Sequence, residues 1–311
     1  MSVSLTIGQG QYNGVNIGPG SNVFTQWNTI KGLTGLPDIR KGNVPRPNDE
    51  GMLAGYDFYG ERTIEFNLEV TAGGGNTMQQ NLNAVRQGLL KATSLGGGVN
   101  SLSPPPTRLY FNLGEQLSAG TVGVTRFVNA RVEKFEDTVD LGWAAGSWQG
   151  GLARIAVQMG AVDPRIYDAN AQSASVGLTV AAGGWTFPWT FPWAFTSNTG
   201  SLITAVNNGI YACPPYFTIT GPCVNPRVQN QTTGVTLQFN TTLNAGDTLT
   251  VDSFSGSAVL NGTASRLSTL APGSYISTFL IQPGSNTVAF YSSDGTVTGA
   301  QLTLYWANTW I

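Results

Sequence analysis

The sequence predicts a mostly β protein with two sandwich-like domains, the first of which carries one α-helix. Charged residues make up only 10% of the 311 residues, and 40 residues are glycine. An average globular protein has about 25% charged residues and about 7% glycine. Polarity comes instead from Thr, Asn, Ser and Gly, which suit short strands joined by turns. Apolar and polar residues alternate in many short runs, and this is the period of a half-buried strand.

The clearest strand lies in the first domain, which is predicted over residues 1–170. Every second residue of the stretch 63–71 is apolar, so we expect one face of the strand to be buried and the other to be exposed to solvent. The apolar members are Ile64, Phe66, Leu68 and Val70. The same reasoning predicts strands at residues 3–7, 107–113, 122–141 and 152–162, the last two as a meander.

One amphipathic helix is predicted at about residues 76–93. Asn76 is a suitable N-cap, and Gln79 three residues later completes a variant of the capping box. Apolar residues then recur at helical spacing, namely Met78, Leu82, Val85 and Leu89, and the glycines at 96–98 stop the run. A single helix of this kind packs its apolar stripe across a sheet face or an open barrel end.

Residues 36–60 form an arm that is rich in proline and glycine and carries charges of both signs. Proline and glycine at this density interrupt regular ladders. We therefore expect a long excursion or hairpin outside the core. Excursions of this length usually contact something.

The second domain, predicted over residues 200–311, contains only strand patterns. Turn residues separate these patterns every ~8–12 residues, as in a sandwich of two antiparallel sheets. The predicted strands cover residues 202–206, 216–220, 224–228, 235–239, 248–251, 258–260, 277–281, 287–291 and 302–306.

An aromatic segment lies within the connector predicted over residues 171–199. Every odd position from 185 to 195 is aromatic: Trp185, Phe187, Trp189, Phe191, Trp193 and Phe195. Pro188 and Pro192 exclude a helix, and each lacks a backbone N–H donor. In an extended chain both missing donors lie on the same edge, and all six aromatic side chains lie on one face. We therefore expect an extended edge segment. The preferred interpretation is an inter-domain connector clamped onto a core. Stacking on sugar or bases, and a subunit contact, are the alternatives.

Several function classes are disfavoured by what the chain lacks. It has no histidine, so Ser-His-Asp, Cys-His and the common zinc sites are unavailable. The net charge is −2 and the sequence contains no run of basic residues. It therefore predicts no positively charged surface for sequence-specific nucleic-acid binding. No nucleotide-binding motif, secretion signal or long apolar run is present. We therefore expect no enzyme activity, no catalytic, cofactor or metal site, and no membrane insertion.

Two small groups of residues leave alternatives open. Four acidic residues gather near one strand end, where a solvated or interface-facing patch is far commoner than the carboxylate pair of a glycosidase. They are Glu133, Glu136, Asp137 and Asp140. The two cysteines, Cys213 and Cys223, are expected as free, packed thiols in a reducing compartment, with a disulfide across a hairpin as the alternative.

The order of these features resembles that of a known family, the distal tail proteins of long non-contractile-tailed bacteriophages. The resemblance covers essentially the whole chain. The resemblance is based on five features: the end of the arm at residues 59–66, the single helix, the sequence Asp-Pro-Arg-Ile-Tyr-Asp at 163–168, the Phe-Pro pairs at 187–188 and 191–192, and residues 211–215 leading to 221–226.

The resemblance implies a tail-tube-like first domain, a β-sandwich or barrel with one helix, followed by a galectin-like antiparallel β-sandwich. It implies a structural virion protein, of which six copies form a ring that joins the tail tube to the tail tip and lines the DNA channel. The implied partners are the tail tube protein, a tail-tip protein and the tape-measure protein, with DNA only in passage. The implied location is the tail tip of the virion, after synthesis in the host bacterial cytoplasm.

Galectins bind sugar through a motif that contains Asn-Pro-Arg, and this triplet occurs here from Asn225 to Arg227. The usual histidine of that motif cannot be present, and a strand entry with a turn is the structural interpretation of the triplet. Asn225 and Arg227 are nevertheless candidates for carbohydrate binding. Together with the aromatic segment they motivate an alternative function, a carbohydrate-binding module that recognises host-surface glycans.

Overall fold

The computed structural model describes residues 5, 9–25, 30–90, 108–112, 114, 123–140, 152–178, 201–293 and 299–311. The chain divides into two compact units, which are essentially residues 1–170 and 171–310. The described residues are mostly strand and contain one α-helix, so the predicted fold class is confirmed. The six aromatic residues from Trp185 to Phe195, and most of the strand predicted at 3–7, lie outside the described residues.

The first unit contains one helix and two main sheets. Its strands are β1 (Gly10–Tyr12), β2 (Val15–Ile17), β3 (Val23–Thr25), β4 (Ile39–Arg40), β5 (Val44–Pro45), β6 (Met52–Leu53), β7 (Phe58–Tyr59), β8 (Arg62–Val70), β9 (Arg108–Phe111), β10 (Arg126–Asn129), β11 (Arg131–Asp140), β12 (Leu152–Ala161) and β13 (Ile166–Asp168), and its helix is α1 (Met78–Leu90). One sheet has the order β2-β1-β9-β10-β13 and the other the order β11-β12-β8-β3. Among the described residues neither sheet closes into a barrel, so the open sandwich is the observed form.

The core of the first unit lies on the inner face of β8. Burial alternates along this strand from one residue to the next, as predicted, because every second side chain points to the same face. Helix α1 contacts β2, β8 and β12. Its predicted apolar stripe is buried and consists of Met78, Leu82, Val85 and Leu89. With its 13 residues α1 is short, and no helix in the described part of the chain is long and apolar enough to cross a membrane.

The N-terminus of α1 is capped by Thr77, and the prediction of Asn76 as the N-cap is wrong by one residue. The amide of Gln80 donates a 3.2 Å hydrogen bond to Oγ1 of Thr77, and the amide of Thr77 donates a 2.8 Å bond to Oε1 of Gln80. This reciprocal pair is a capping box. Asn76 instead closes a turn, since its backbone exchanges two hydrogen bonds with that of Gly73.

The strand predicted at residues 122–141 is two strands, β10 and β11, which belong to different sheets. Between them, the carbonyl oxygen of Ala130 accepts a 3.1 Å hydrogen bond from the hydroxyl of the buried residue Tyr12. The chain leaves one sheet at Asn129 and enters the other at Arg131. Strand propensity continues through this point, so the sequence pattern carries no signal for the change of sheet.

The second unit is a sandwich of antiparallel strands, as predicted. Its strands are β14 (Gln172–Gly177), β15 (Ser201–Asn207), β16 (Tyr216–Thr220), β17 (Cys223–Val224), β18 (Arg227–Asn230), β19 (Thr236–Gln238), β20 (Thr242–Leu243), β21 (Thr248–Asp252), β22 (Ser257–Leu260), β23 (Ala264–Ser265), β24 (Gly284–Tyr291), β25 (Gln301–Trp306) and β26 (Thr309–Trp310), with short 3-10 helices at Leu267–Thr269 and Ile276–Thr278. The main sheets have the orders β14-β25-β16-β21-β22-β23 and β15-β24-β18-β19. Both contribute buried aromatic residues, among them Phe217 and Phe290.

Three segments of the second unit differ from the predicted pattern. Strand β14 falls in the predicted connector, where it pairs with β25. The strand predicted at 224–228 is divided into β17 and β18 by a turn in which Asn225 has a φ of 48°. The strand predicted at 277–281 is wrong, because residues 276–278 form a 3-10 helix. The hydroxyl of Thr278 donates a 2.8 Å bond to the carbonyl of Tyr275, and such local bonding competes with a strand ladder.

Candidate assembly surface

The arm, residues 36–60, is a two-stranded ribbon outside both main sheets. Near its root β4 pairs with β7, and further out β5 pairs with β6. A 2.6 Å hydrogen bond from the amide of Gly60 to the carbonyl of Asp38 closes the root, and a 3.3 Å bond from the amide of Arg46 to the carbonyl of Gly51 closes the tip. The arm is therefore a hairpin along its length.

Two glycines allow the strands of the arm to approach closely between these two ladders. A Cβ atom on Gly55 would overlap the carbonyl oxygen of Gly42, and a Cβ atom on Gly42 would overlap the carbonyl oxygen of Tyr56. Movement of a side chain cannot relieve either contact, because both partners are backbone atoms. Glycine is required at both positions by this close approach.

The arm concentrates exposed apolar side chains. Fourteen large hydrophobic residues are exposed in the described part of the chain, and eight of them lie on the arm: Leu36, Ile39, Val44, Met52, Leu53, Tyr56, Phe58 and Tyr59. Tyr56 is 87% exposed. A contiguous exposed apolar surface marks a contact with another molecule more often than a solvated face. The arm is therefore the main candidate contact surface of the first unit.

Charge on the arm is nearly balanced, with three basic and four acidic residues. The guanidinium carbon of Arg40 lies 5.3 Å from the centroid of the Phe58 ring. Arg46 and Asp49 form an exposed ion pair of 3.3 Å near the tip. Exposed ion pairs contribute little to the free energy of folding. The exposed surface of the arm is thus dominated by apolar side chains rather than by a net charge.

A second candidate surface is the outer face of the sheet β11-β12-β8-β3. Four of its exposed charged residues form ion pairs: Lys134 lies 2.9 Å from Glu136, and Arg154 lies 3.4 Å from Glu69. A polar groove of about 200 Å³ crosses the face beside Glu65. Because charges of opposite sign alternate here, the face has no strong field of either sign.

The predicted acidic patch is not one cluster in the structure. Glu136 lies on the outer face of its sheet, whereas Asp137 lies on the inner face and forms an ion pair with Arg86 of α1. Glu133 lies where the register of β11 shifts, at a bulge. The side chain of Asp140 is outside those described. Among the described residues, no group of three or more His, Cys, Asp or Glu is placed to hold a metal ion.

Asn225 and Arg227, the carbohydrate candidates, have separate structural roles. Asn225 occupies the turn between β17 and β18, where its backbone amide donates a 2.8 Å hydrogen bond to the carbonyl oxygen of Thr241. Arg227 begins β18, and its guanidinium carbon lies 4.3 Å from the centroid of the Tyr291 ring. Gln231 donates a 3.2 Å bond to the hydroxyl of Tyr291. Arg227 thus covers one face of this ring, and sugar binding by the two candidates stays a prediction.

Cys213 and Cys223 are both buried, and neither forms a disulfide. The backbone of Cys213 exchanges two hydrogen bonds with Ile281, and Cys223 lies in β17. Burial raises the pKa of the Cys223 thiol to about 11, so the thiol is protonated at neutral pH and a poor nucleophile. The structure therefore contains packed thiols rather than a disulfide.

Comparison with known families identifies the second unit. Residues 208–310 match the family described as the siphovirus-type tail component, C-terminal domain. This part of the chain is therefore similar to the C-terminal domain of a siphovirus-type tail component. The matched residues include both carbohydrate candidates and both cysteines. A comparison of this tail component with curated protein sequences finds no match.

Solved structures resemble the tail component over nearly its whole length. The SPP1 Dit (gp 19.1) protein, described as a paradigm of the hub adsorption apparatus in phages that infect Gram-positive hosts, has a TM-score of 0.57 and 12% identity over 97% of this chain and 99% of that chain. Two structures of the phage P2 baseplate in its activated conformation, with Ca and with Sr, have TM-scores of 0.44 and 12% identity over 92% of this chain and 91% of theirs, values too low to establish a shared fold. The tail component therefore has the fold of a Dit protein, and the resemblance to siphophage distal tail proteins is confirmed.

One buried residue at the root of the arm was missed by sequence reasoning. Arg62 is only 1% exposed, although a charged residue before a strand normally faces water. A signal was present, because Arg62 has the same parity as Ile64 and the other buried residues of β8. Its parity was thus a signal for burial, although its charge argued against it.

Proposed function

We propose that this tail component is a structural distal tail adaptor without enzymatic activity. In this proposal six copies form a ring at the tail tip of the virion, which joins the tail tube to the tail tip and surrounds the DNA channel. Its partners are the tail tube, tail-tip and tape-measure proteins, and DNA is in contact with it only in passage. Synthesis takes place in the host bacterial cytoplasm.

The observation that carries this proposal is the exposed arm, in a chain whose second unit is a tail component domain. A hairpin of two strands is marginally stable by itself. Burying half of its eight exposed apolar side chains against a neighbouring copy would contribute on the order of 5–10 kcal/mol before the cost of association. A ring contact through the arm accounts for that surface.

The outer face of the sheet β11-β12-β8-β3 supports a place beside the DNA channel. DNA that must pass freely requires a wall that does not bind phosphate, and a basic face would bind it. This face carries charges of both signs, four of which form the ion pairs of Lys134 with Glu136 and of Arg154 with Glu69. We propose that this face lines the channel.

Mass photometry of the purified chain tests the ring. The expected species has six times the mass of the 32.8 kDa chain, and negative-stain images of it show a ring. A triple variant of the arm, Leu53→Ser with Tyr56→Ser and Phe58→Ser, is expected to remain monomeric and folded, because these side chains are exposed in the monomer.

A matched control replaces three exposed apolar residues of the second unit, Leu202, Ile210 and Tyr275, by serine. This control is expected to form the ring as the wild type does. A wild-type protein that stays monomeric at all concentrations, and that antibodies do not detect at the tips of purified tails, would refute the proposal.

The alternative function, recognition of host-surface glycans, depends on Trp189, Asn225 and Arg227. A glycan array probed with the wild type and with the variants Trp189→Ala and Arg227→Ala separates the two functions. Binding that is lost in these variants while the ring persists would favour an additional glycan role. No glycan signal for the wild type removes this alternative.

A further inference from the structure

Besides the backbone bonds that close it, the root of the arm is held by the side chain of a buried residue, Arg62. This residue follows the arm directly and begins β8, and the residues to which it binds precede the arm directly. Its Nη1 donates hydrogen bonds to the carbonyl oxygens of Gly32 at 2.6 Å, Leu33 at 3.2 Å and Gly35 at 2.6 Å. Both ends of the arm are therefore joined through one guanidinium.

The same guanidinium also reaches a third segment. Nε of Arg62 donates a 3.0 Å hydrogen bond to the carbonyl oxygen of Pro164. Pro164 lies in the turn between β12 and β13, next to Asp163, whose carboxylate accepts a 2.6 Å bond from the hydroxyl of Tyr167. The arm root is thereby tied to a turn that has its own buried hydrogen bonds.

The chemistry of these contacts requires arginine. The four acceptors named above are all backbone carbonyl oxygens, and burial lowers the pKa of the Arg62 guanidinium from its ordinary value. A planar guanidinium has five N–H donors in a fixed fork, so it can serve acceptors on several segments at once. Lysine has three donors at the end of a flexible stem and no donor at the position of Nε.

The backbone before the arm is pressed against β8 at the same place. Gly32 has a φ of 76°, and a Cβ atom there would overlap the carbonyl oxygen of Thr63. Lys31 and Glu65 exchange backbone hydrogen bonds of 2.9 and 3.1 Å. The segment that leads into the arm is therefore fixed up to residue 35, where the side chain of Arg62 attaches it to the body of the unit.

We infer that Arg62 is a positioning residue that sets the direction of the arm relative to the body of the first unit. The arm itself is a narrow ribbon with exposed side chains, so its direction is determined at the root. A fixed direction reduces the conformational entropy that binding a partner must remove. The step from arm direction to ring formation rests on the proposed function, whereas the step from Arg62 to arm direction does not.

Distances between two spin labels test the inference on the full chain. One label is placed on Asn48→Cys at the tip of the arm and the other on Thr138→Cys on β11, where both side chains are exposed. The two native cysteines are buried and do not compete for the label. Dilution with unlabelled protein restricts the measurement to distances within one chain.

The expected result is a narrow distance distribution for the wild type and one about twofold wider for Arg62→Met, because the root opens without unfolding the body. The width of the distance distribution of Arg62→Lys is expected to lie between those of the wild type and Arg62→Met. Ring formation is expected to need about tenfold more protein in Arg62→Met, which corresponds to a loss of about 1.4 kcal/mol in the free energy of association.

Two matched controls separate positioning from stability. Val70→Ala removes buried surface at the other end of β8, and it is expected to lower the melting temperature while leaving the distance distribution narrow. Arg154→Met removes an arginine that is exposed on the same sheet, and it is expected to change neither quantity.

A distance distribution for Arg62→Met that is as narrow as that of the wild type would overturn the inference. If Arg62→Met does not fold, Arg62→Lys decides in the same way. A distribution that widens equally in Val70→Ala would also overturn it, since the effect would then be one of stability. A wild type that forms no ring would contradict the proposed function, but the distance measurement on the monomer would still decide the role of Arg62.

Discussion

The hydroxyl of Tyr167 donates a 2.6 Å hydrogen bond to Oδ2 of Asp163, and both side chains are almost completely buried. Oδ1 of the same carboxylate accepts bonds from the amide and the guanidinium of Arg165, at 3.3 and 3.1 Å. Pro164 cannot donate a backbone hydrogen bond, so side chains hold this turn together. The sequence Asp-Pro-Arg-Ile-Tyr-Asp is therefore a self-bonded turn that connects β12 to β13.

Tyr167→Phe is expected to lower the free energy of unfolding by about 1.5–3 kcal/mol, because a buried carboxylate loses a donor. Urea denaturation followed by tryptophan fluorescence measures the change. Tyr275→Phe, at an exposed tyrosine, is the matched control and is expected to differ from the wild type by less than about 0.5 kcal/mol. Equal stability of the two variants would show that the Tyr167 bond contributes nothing.

Asp137→Asn is expected to cost about 0.5–1 kcal/mol, since it removes the partially buried ion pair that joins α1 to β11 through Arg86. Glu136→Gln changes the neighbouring residue on the opposite face, where both partners of the ion pair are more than half exposed. Its expected effect is within about 0.5 kcal/mol. Chemical denaturation in low salt resolves the two, and a larger loss in Glu136→Gln would contradict the assignment of faces.

Gly32→Ala is expected to destabilise the first unit by about 3 kcal/mol or more, because strain at positive φ adds to an overlap with the backbone of Thr63. Gly14 has a similar φ of 82° and no atom within 4 Å of an added Cβ. Gly14→Ala therefore isolates the strain and is expected to cost only about 1–2 kcal/mol. Differential scanning calorimetry compares the two, and equal losses would refute the close approach at Gly32.

A thiol reagent is expected to modify neither cysteine in the folded protein at pH 8 and both after unfolding in guanidinium chloride. The physical reason is burial of both thiols and the raised pKa of Cys223, about 11. Colorimetric titration counts the reactive thiols. No reactive thiol in the unfolded, unreduced chain would reveal a disulfide and contradict the structure.

The same pKa shift predicts a dependence of stability on pH. The pKa of Cys223 in the folded chain is above the value of about 8.5 for an unfolded thiol, so the folded state holds this proton more strongly. Its contribution to stability is complete below about pH 8.5 and is lost as the pH rises towards 11. Cys223→Ala is expected to reduce the loss of stability between pH 8 and pH 10.5, measured in urea. An unchanged loss would contradict the shift.

Local patterns in the sequence predicted much of the fold and part of the candidate surface. The alternation along β8, the apolar stripe of α1 and the hairpin nature of residues 36–60 follow from hydrophobic period and from proline and glycine content, which act over a few residues. The cap at Thr77 was missed by one residue, because Asn76 and Thr77 both suit an N-cap and only the side-chain bonds of Gln80 distinguish them.

The sequence by itself determined the mostly β class, the strand faces and the low charge, since these depend on residue type and short-range period. Only the tertiary structure decided that the chain changes sheets at Ala130, that Asp137 and Glu136 serve opposite faces, and that Arg62 closes the arm root. The bonds of Arg62 join it to residues 27 to 102 positions away. Such contacts depend on which segments the fold brings together, and no local pattern encodes that choice.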